Sequence, residues 1–121
     1  LGKKHKRQKI PQKRKRKGLT YKEYSRLCRF KFDIEEYTEE FDTDLVKQFG
    51  WYDINNPDGV SRDHMLSISY GWKHTIPPKV LRHPANCCLM LYKDNCQKGW
   101  RSSINYAGLE DRIRAWNKKY K

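Results

Sequence analysis

Apolar positions change period along this chain, and the changes predict its elements. Tyr24, Leu27 and Cys28 fall at helical spacing behind Thr20-Tyr21-Lys22-Glu23. That tetrad reads as a capping box, with Thr20 as N-cap and Glu23 reaching back, and it predicts a short helix over 21–29. Phe30 to Ile34 alternates like a brief extended piece. A second helix is expected from Asp42 or Thr43 to Phe49, with Leu45, Val46 and Phe49 on its buried side and Gly50 as its stop. Asn55-Asn56-Pro57-Asp58-Gly59 is a turn signal. Beyond it the period becomes two, and Val60 to Ile68 reads as a strand. Arg62, His64, Leu66 and Ile68 share one parity with Val60, and Asp63 and Met65 share the other. A loop is expected over 69–84, then a second strand from Asn86 to Tyr92 and a helix over 93–100 that Gly99 weakens. Asn105 caps a last helix, over about 105–120, with Leu109, Ile113 and Trp116 along one face. The predicted fold class is α+β, with helices flanking a strand–loop–strand–helix unit over about 60–100.

At 121 residues the chain suits one domain with a modest core. No apolar run approaches the ~20 residues that span a bilayer, and no signal-peptide core is visible. The start at Leu1 suggests a processed product or a fragment. Charge refines this picture, because the net +13 is unevenly spread. Residues 1–18 hold ten basic side chains and no acid: Lys3, Lys4, Lys6, Arg7, Lys9, Lys13, Arg14, Lys15, Arg16 and Lys17. The remainder is near balance, with seven acids between Asp33 and Asp44. A basic arm at 1–19 on a balanced domain at 20–121 suits nucleic acid, which it binds by releasing condensed counterions. A nuclear-localisation signal or a solvated tail is the blander alternative. Cys28, Cys87, Cys88 and Cys96 form no CxxC pair, so no structural zinc is expected. They read as small, half-buried apolar residues, with Cys87 and Cys88 facing opposite sides of a strand.

Candidate chemistry centres on Arg62-Asp63-His64-Met65. Hydrolysing a phosphodiester requires a base for the attacking water, stabilisation of charge on phosphorus and neutralisation of the leaving oxygen. Histidine, with an ordinary pKa near 6.5, suits the first task. A hard divalent cation on carboxylate and amide oxygens suits the other two. Asn86, opening the second strand, and Asn95, near the start of the helix, supply amides. Adjacent strand residues face opposite sides, so Asp63 and His64 can serve one site only at a bulge or strand end. The other histidines have simpler readings: His5 and His74 solvated, His83 shaping a turn. The four tryptophans read mainly as core, with base stacking a lesser option for Trp100.

The combination of Asp63-His64, Asn86 and Asn95 resembles the HNH endonucleases of ββα-metal fold, in the homing-endonuclease-like branch of phages and mobile introns. The similarity lies in VSRDHMLSISYG (60–71), IPPKVLRHPANCCLML (76–91), DN (94–95) and SSI (102–104). It extends to YSRLCRFKF (24–32), EFD (40–42), GWY (50–52) and LEDRIRAWNKKY (109–120), and so covers all but the arm. It implies His64 as general base, Asp63 and Asn95 as ligands of one divalent ion, Mg²⁺ or Mn²⁺, and Asn86 as the residue that holds the base loop or His64 itself in orientation through a hydrogen bond. Lys98 is implied as a phosphate contact, and the products as 5′-phosphate and 3′-hydroxyl. The chain departs from its relatives at Tyr92, where they often carry His, and at Cys96 and Gly99, where they often carry polar residues.

Two functions follow as expectations. One is a metal-dependent DNA endonuclease or nickase working inside a phage-infected cell or an organelle. The other is an HNH-like domain recruited as a structural component of an organellar ribosome or other ribonucleoprotein, with rRNA and ribosomal proteins as partners. Neither involves secretion or a membrane.

Overall fold

The computed structural model describes residues 18–121. The expected arm, with its ten basic residues, lies outside the described residues except at its end. The chain is α+β: helices around a two-stranded antiparallel sheet.

Helix α1 spans Tyr21–Leu27, and the capping box is formed: Glu23 N–H donates to Thr20 Oγ1, and Thr20 N–H to Glu23 Oε1. A 3-10 turn at Ile34–Tyr37 stands where an extended piece was expected to end, capped by Asp33. Helix α2, Thr43–Phe49, stops at Gly50 with φ 72°. None of its residues is fully buried, and Phe49, expected inside, is exposed.

Strand β1, Val60–His64, pairs with β2, Cys87–Leu91, in a register that places Val60 opposite Leu91 and His64 opposite Cys87. The expected strand to Ile68 is therefore too long. The ladder ends at His64, and Ser67 caps helix α3, Ile68–Lys73, by accepting from Tyr70 N–H. The expected loop over 69–84 instead contains α3, the short helix α4 at Pro78–Leu81, and a 3-10 turn at Pro84–Asn86. Pro77-Pro78 hid α4, because proline at the first helical position starts a helix as readily as it marks a loop. Helix α5, Tyr92–Lys98, follows β2 directly and ends at Gly99 with φ 61°. Helix α6, Tyr106–Tyr120, is capped by Asn105 as expected.

The core joins α1, α3, α4 and α6 through Tyr24, Cys28, Leu66, Trp72, Ile76, Leu81 and Leu109. Leu66, Leu81 and Leu109 are wholly buried, each worth a gross ~1.5–3 kcal/mol. The Tyr24 hydroxyl donates to Ile76 O at 2.6 Å, which ties α1 to the segment behind α3. A second, aromatic cluster joins Phe32, Tyr37 and Phe41 to Trp116 and Tyr120 of α6. Glu40 closes it by accepting from Lys119 and Tyr120. Trp72 and Trp116 are core residues as expected; Trp51 and Trp100 are not, being 43% and 52% exposed. No described helix is long and apolar enough to cross a membrane.

Candidate functional site

The site rests on a match between two periodicities. Ser61 and Asp63, two apart on β1, face the same side. Asn95 and Lys98, three apart on α5, also share a side. The two pairs meet: Asn95 Nδ2 donates to Ser61 Oγ at 3.0 Å, and Lys98 Nζ donates to Asp63 Oδ2 at 2.7 Å. Lys98 also donates to the His64 carbonyl at 2.9 Å, which pins α5 against the end of β1.

His64 has the opposite parity and turns toward the segment after α1. Its ring stacks on Phe30, with centroids 4.1 Å apart and planes 16° from parallel. Its Nε2 lies 2.7 Å from Cys28 O. A carbonyl only accepts, so Nε2 carries the proton and Nδ1 holds the lone pair. Burial is the main cause that pushes the imidazole down to about 4; the Cys28 carbonyl pulls upward, and the Lys98 charge adds to the lowering. At neutral pH the ring is therefore uncharged, and further below neutrality than the ordinary value suggests. Asp63 is opposite in sense. Burial raises its carboxyl above the usual range, outweighing the Lys98 ammonium that lowers it.

Asp63 and His64 are adjacent at the end of β1. Both line a cleft of about 250 Å³ with Asn95, Arg62, Ser67 and Trp100. Asn86 maintains the turn beyond. It is fully buried; its Oδ1 accepts from Leu66 N–H, and its Nδ2 donates to Leu66 O and Leu81 O. Its own carbonyl accepts from Met65 N–H. The SSI segment supports the same turn, with Ser102 Oγ accepting from Ser67 N–H and Met65 O from Ser103 N–H. Asn86 thus acts on the loop behind His64, through Met65, Leu66 and Leu81.

The donor set suits a hard cation. Asn95, which lines the cleft, uses its amide nitrogen on Ser61 and not its oxygen, and Asp63 accepts from Lys98 through Oδ2 and not Oδ1. Two oxygens, completed by water and phosphate oxygens, suit Mg²⁺ or Mn²⁺. Among the described residues no cluster of three or more His, Cys, Asp or Glu surrounds the spot, so such an ion would depend on its ligand for much of its shell. Lys98, implied as a phosphate contact, is largely buried and ion-paired with Asp63.

Tyr92 stacks on Tyr52 at the opening of α5, with centroids 3.6 Å apart and planes 10° from parallel. His83 caps the turn before Asn86 through Ala85 N–H and meets Asn117 of α6. His74 is exposed and stacks on Tyr70. Cys87 and Cys88 are adjacent on β2 and so face opposite sides as expected, Cys87 buried and Cys88 half-buried. Lys3 through Lys17 lie outside the described residues. Sequence reading missed Phe30, Ser61 and the Cys28 carbonyl. Arg62 was legible as sharing a strand face with His64, but it stood beside a more conspicuous pair. No protein-family model matches the chain, and searches of curated proteins and of solved structures returned no match.

Proposed function

We propose that this chain is a metal-dependent endonuclease of HNH type, which hydrolyses DNA phosphodiester bonds on a ββα-metal core made of β1, β2 and α5. One observation carries the reading. A neutral histidine, held in the Nε2–H form by the Cys28 carbonyl, shares a cleft with a carboxylate and an amide oxygen.

In this reading His64 Nδ1 takes the proton of the attacking water as the new P–O bond forms. The P–O bond to the 3′ oxygen breaks, and that oxygen takes a proton from solvent water, leaving a 3′-hydroxyl and a 5′-phosphate. Phe30 keeps the ring in its plane and shields one face from water. Asp63 and Asn95 would hold one divalent ion, which supplies charge neutralisation at phosphorus and at the leaving oxygen. Lys98 adds a positive charge on Asp63. The basic segment at residues 3–17 supplies sequence-independent affinity.

The Lys98–Asp63 ion pair also favours a second reading. A carboxylate already neutralised within the fold suits a domain retained for binding alone, as a structural RNA-binding component of a ribosome or other ribonucleoprotein. Supercoiled plasmid with Mg²⁺ at low salt separates the two. The enzyme reading expects nicking or linearisation by the native chain, and loss of at least a hundredfold in rate for His64→Ala with DNA binding retained. No cutting by the native chain, together with salt-sensitive RNA binding, would replace it with the second.

A further inference from the structure

A second groove borders His64 on the side away from α5. Arg29, Phe30, Lys31, Phe32, Arg62 and His64 line it. Three of these are cations and none is an acid. Arg62 is the most constrained of them. Its guanidinium donates from Nη1 to Phe32 O at 2.9 Å and lies over two rings, 5.2 Å from the Phe32 centroid and 5.8 Å from that of Trp51. Among the described residues no carboxylate makes a salt bridge with it. A half-buried guanidinium held between aromatic faces, with most of its five donors uncommitted, is preorganised for an anion with a planar or forked array of oxygens. Arg62 stands two residues before His64 on the same strand face, about 7 Å along the strand.

We propose that this groove is a phosphate subsite for the nucleic-acid backbone. Arg62 clamps a phosphodiester next to the one that faces His64, and the exposed Arg29 and Lys31 flank it. The inference rests on the nucleic-acid reading above but not on cleavage. Phe30 then has two roles: it stacks on the His64 ring and lines this groove.

The test is fluorescence anisotropy of the full chain with a labelled DNA duplex, in EDTA to prevent cutting, across a series of KCl concentrations. Arg62→Met is expected to weaken binding about tenfold at low salt and to reduce the slope of log K against log salt by about one. Arg29→Ala combined with Lys31→Ala is expected to reduce it by about two. Those two side chains are exposed, so the double variant decides the matter even if Arg62→Met fails to fold. A purely structural Arg62 would lower the melting temperature and leave the slope of the folded protein unchanged. Slopes equal to the native one in the folded variants overturn the subsite. Because no cleavage is read, slope changes in a chain that cannot nick plasmid would retain the subsite and remove the nuclease reading. Nicking with unaltered slopes would do the reverse.

Discussion

Lys98 is the residue on which the site's electrostatics turn. Its side chain is 14% exposed and that of Asp63 is 6% exposed, so the two charges are largely removed from water. Breaking such a pair by removing one partner leaves a buried charge uncompensated, at a cost of about 3–5 kcal/mol when burial is complete. The residual exposure of Lys98 places the cost toward the lower end. Lys98→Met should therefore lower the urea midpoint in EDTA and push the Asp63 carboxyl further up. A divalent ion would then be the remaining source of positive charge at Asp63. Added Mn²⁺ should raise the melting temperature of Lys98→Met by more than it raises that of the native chain. Equal rises in the two proteins would mean that Asp63 is no metal ligand.

At the scale of elements, the site depends on short helices that would be marginal in isolation. Packing holds them, and α3 shows how closely. Gly71 lies in the middle of α3, where replacing glycine with alanine ordinarily gains up to about 1 kcal/mol of helix stability. Here a Cβ at Gly71 would collide with the Tyr24 hydroxyl and press on Leu81. The Tyr24 hydroxyl cannot easily give way, because it donates to Ile76 O. Gly71→Ala is thus expected to destabilise the fold by about 1–3 kcal/mol, as overpacking does, measured as a lower urea midpoint with an unchanged slope. A gain in stability would show that α1 and α3 pack less closely than this. Gly59 plays a comparable part beside β1: a Cβ there would lie 2.5 Å from Tyr52 N, where the chain from Gly50 to Tyr52 runs against Val60.

Across the whole molecule, pH acts through two half-buried imidazoles. His83 joins α6 to the turn before Asn86. Burial lowers its pKa below 6.5, with Asn117 opposing and Lys121 reinforcing the shift. Burial likewise lowers His64, to about 4. A depressed folded-state value means that the unfolded chain binds the proton first as pH falls. These two histidines therefore contribute stability that is complete above about pH 6.5 and lost as pH falls through 6.5 toward their folded values. The urea midpoint should be level between pH 7 and 8 and decline below 6.5. His83→Gln, which keeps a polar group near Asn117, should flatten part of that decline. An identical pH profile in the variant would show that His83 titrates as freely in the fold as in the unfolded chain.

The sequence by itself determined the local chemistry. It contained the capping box at Thr20 and Glu23, the stop at Gly50, the strand period that separates Asp63 from His64, and the asparagine cap of α6. Each depends on neighbours within a few residues, where backbone geometry leaves few choices. Tertiary structure decided the rest. It ended β1 at His64 rather than Ile68, because the buried Asn86 side chain takes over Leu66 N–H from the ladder. It filled the apparent loop over 69–84 with helices that only packing around Leu81 and Trp72 stabilises. It placed Lys98 on Asp63 and the Cys28 carbonyl on His64, contacts that span 35 and 36 residues. Burial and partner choice across such separations set the protonation of His64 and the charge balance of the cleft, and no window of the sequence contains both partners.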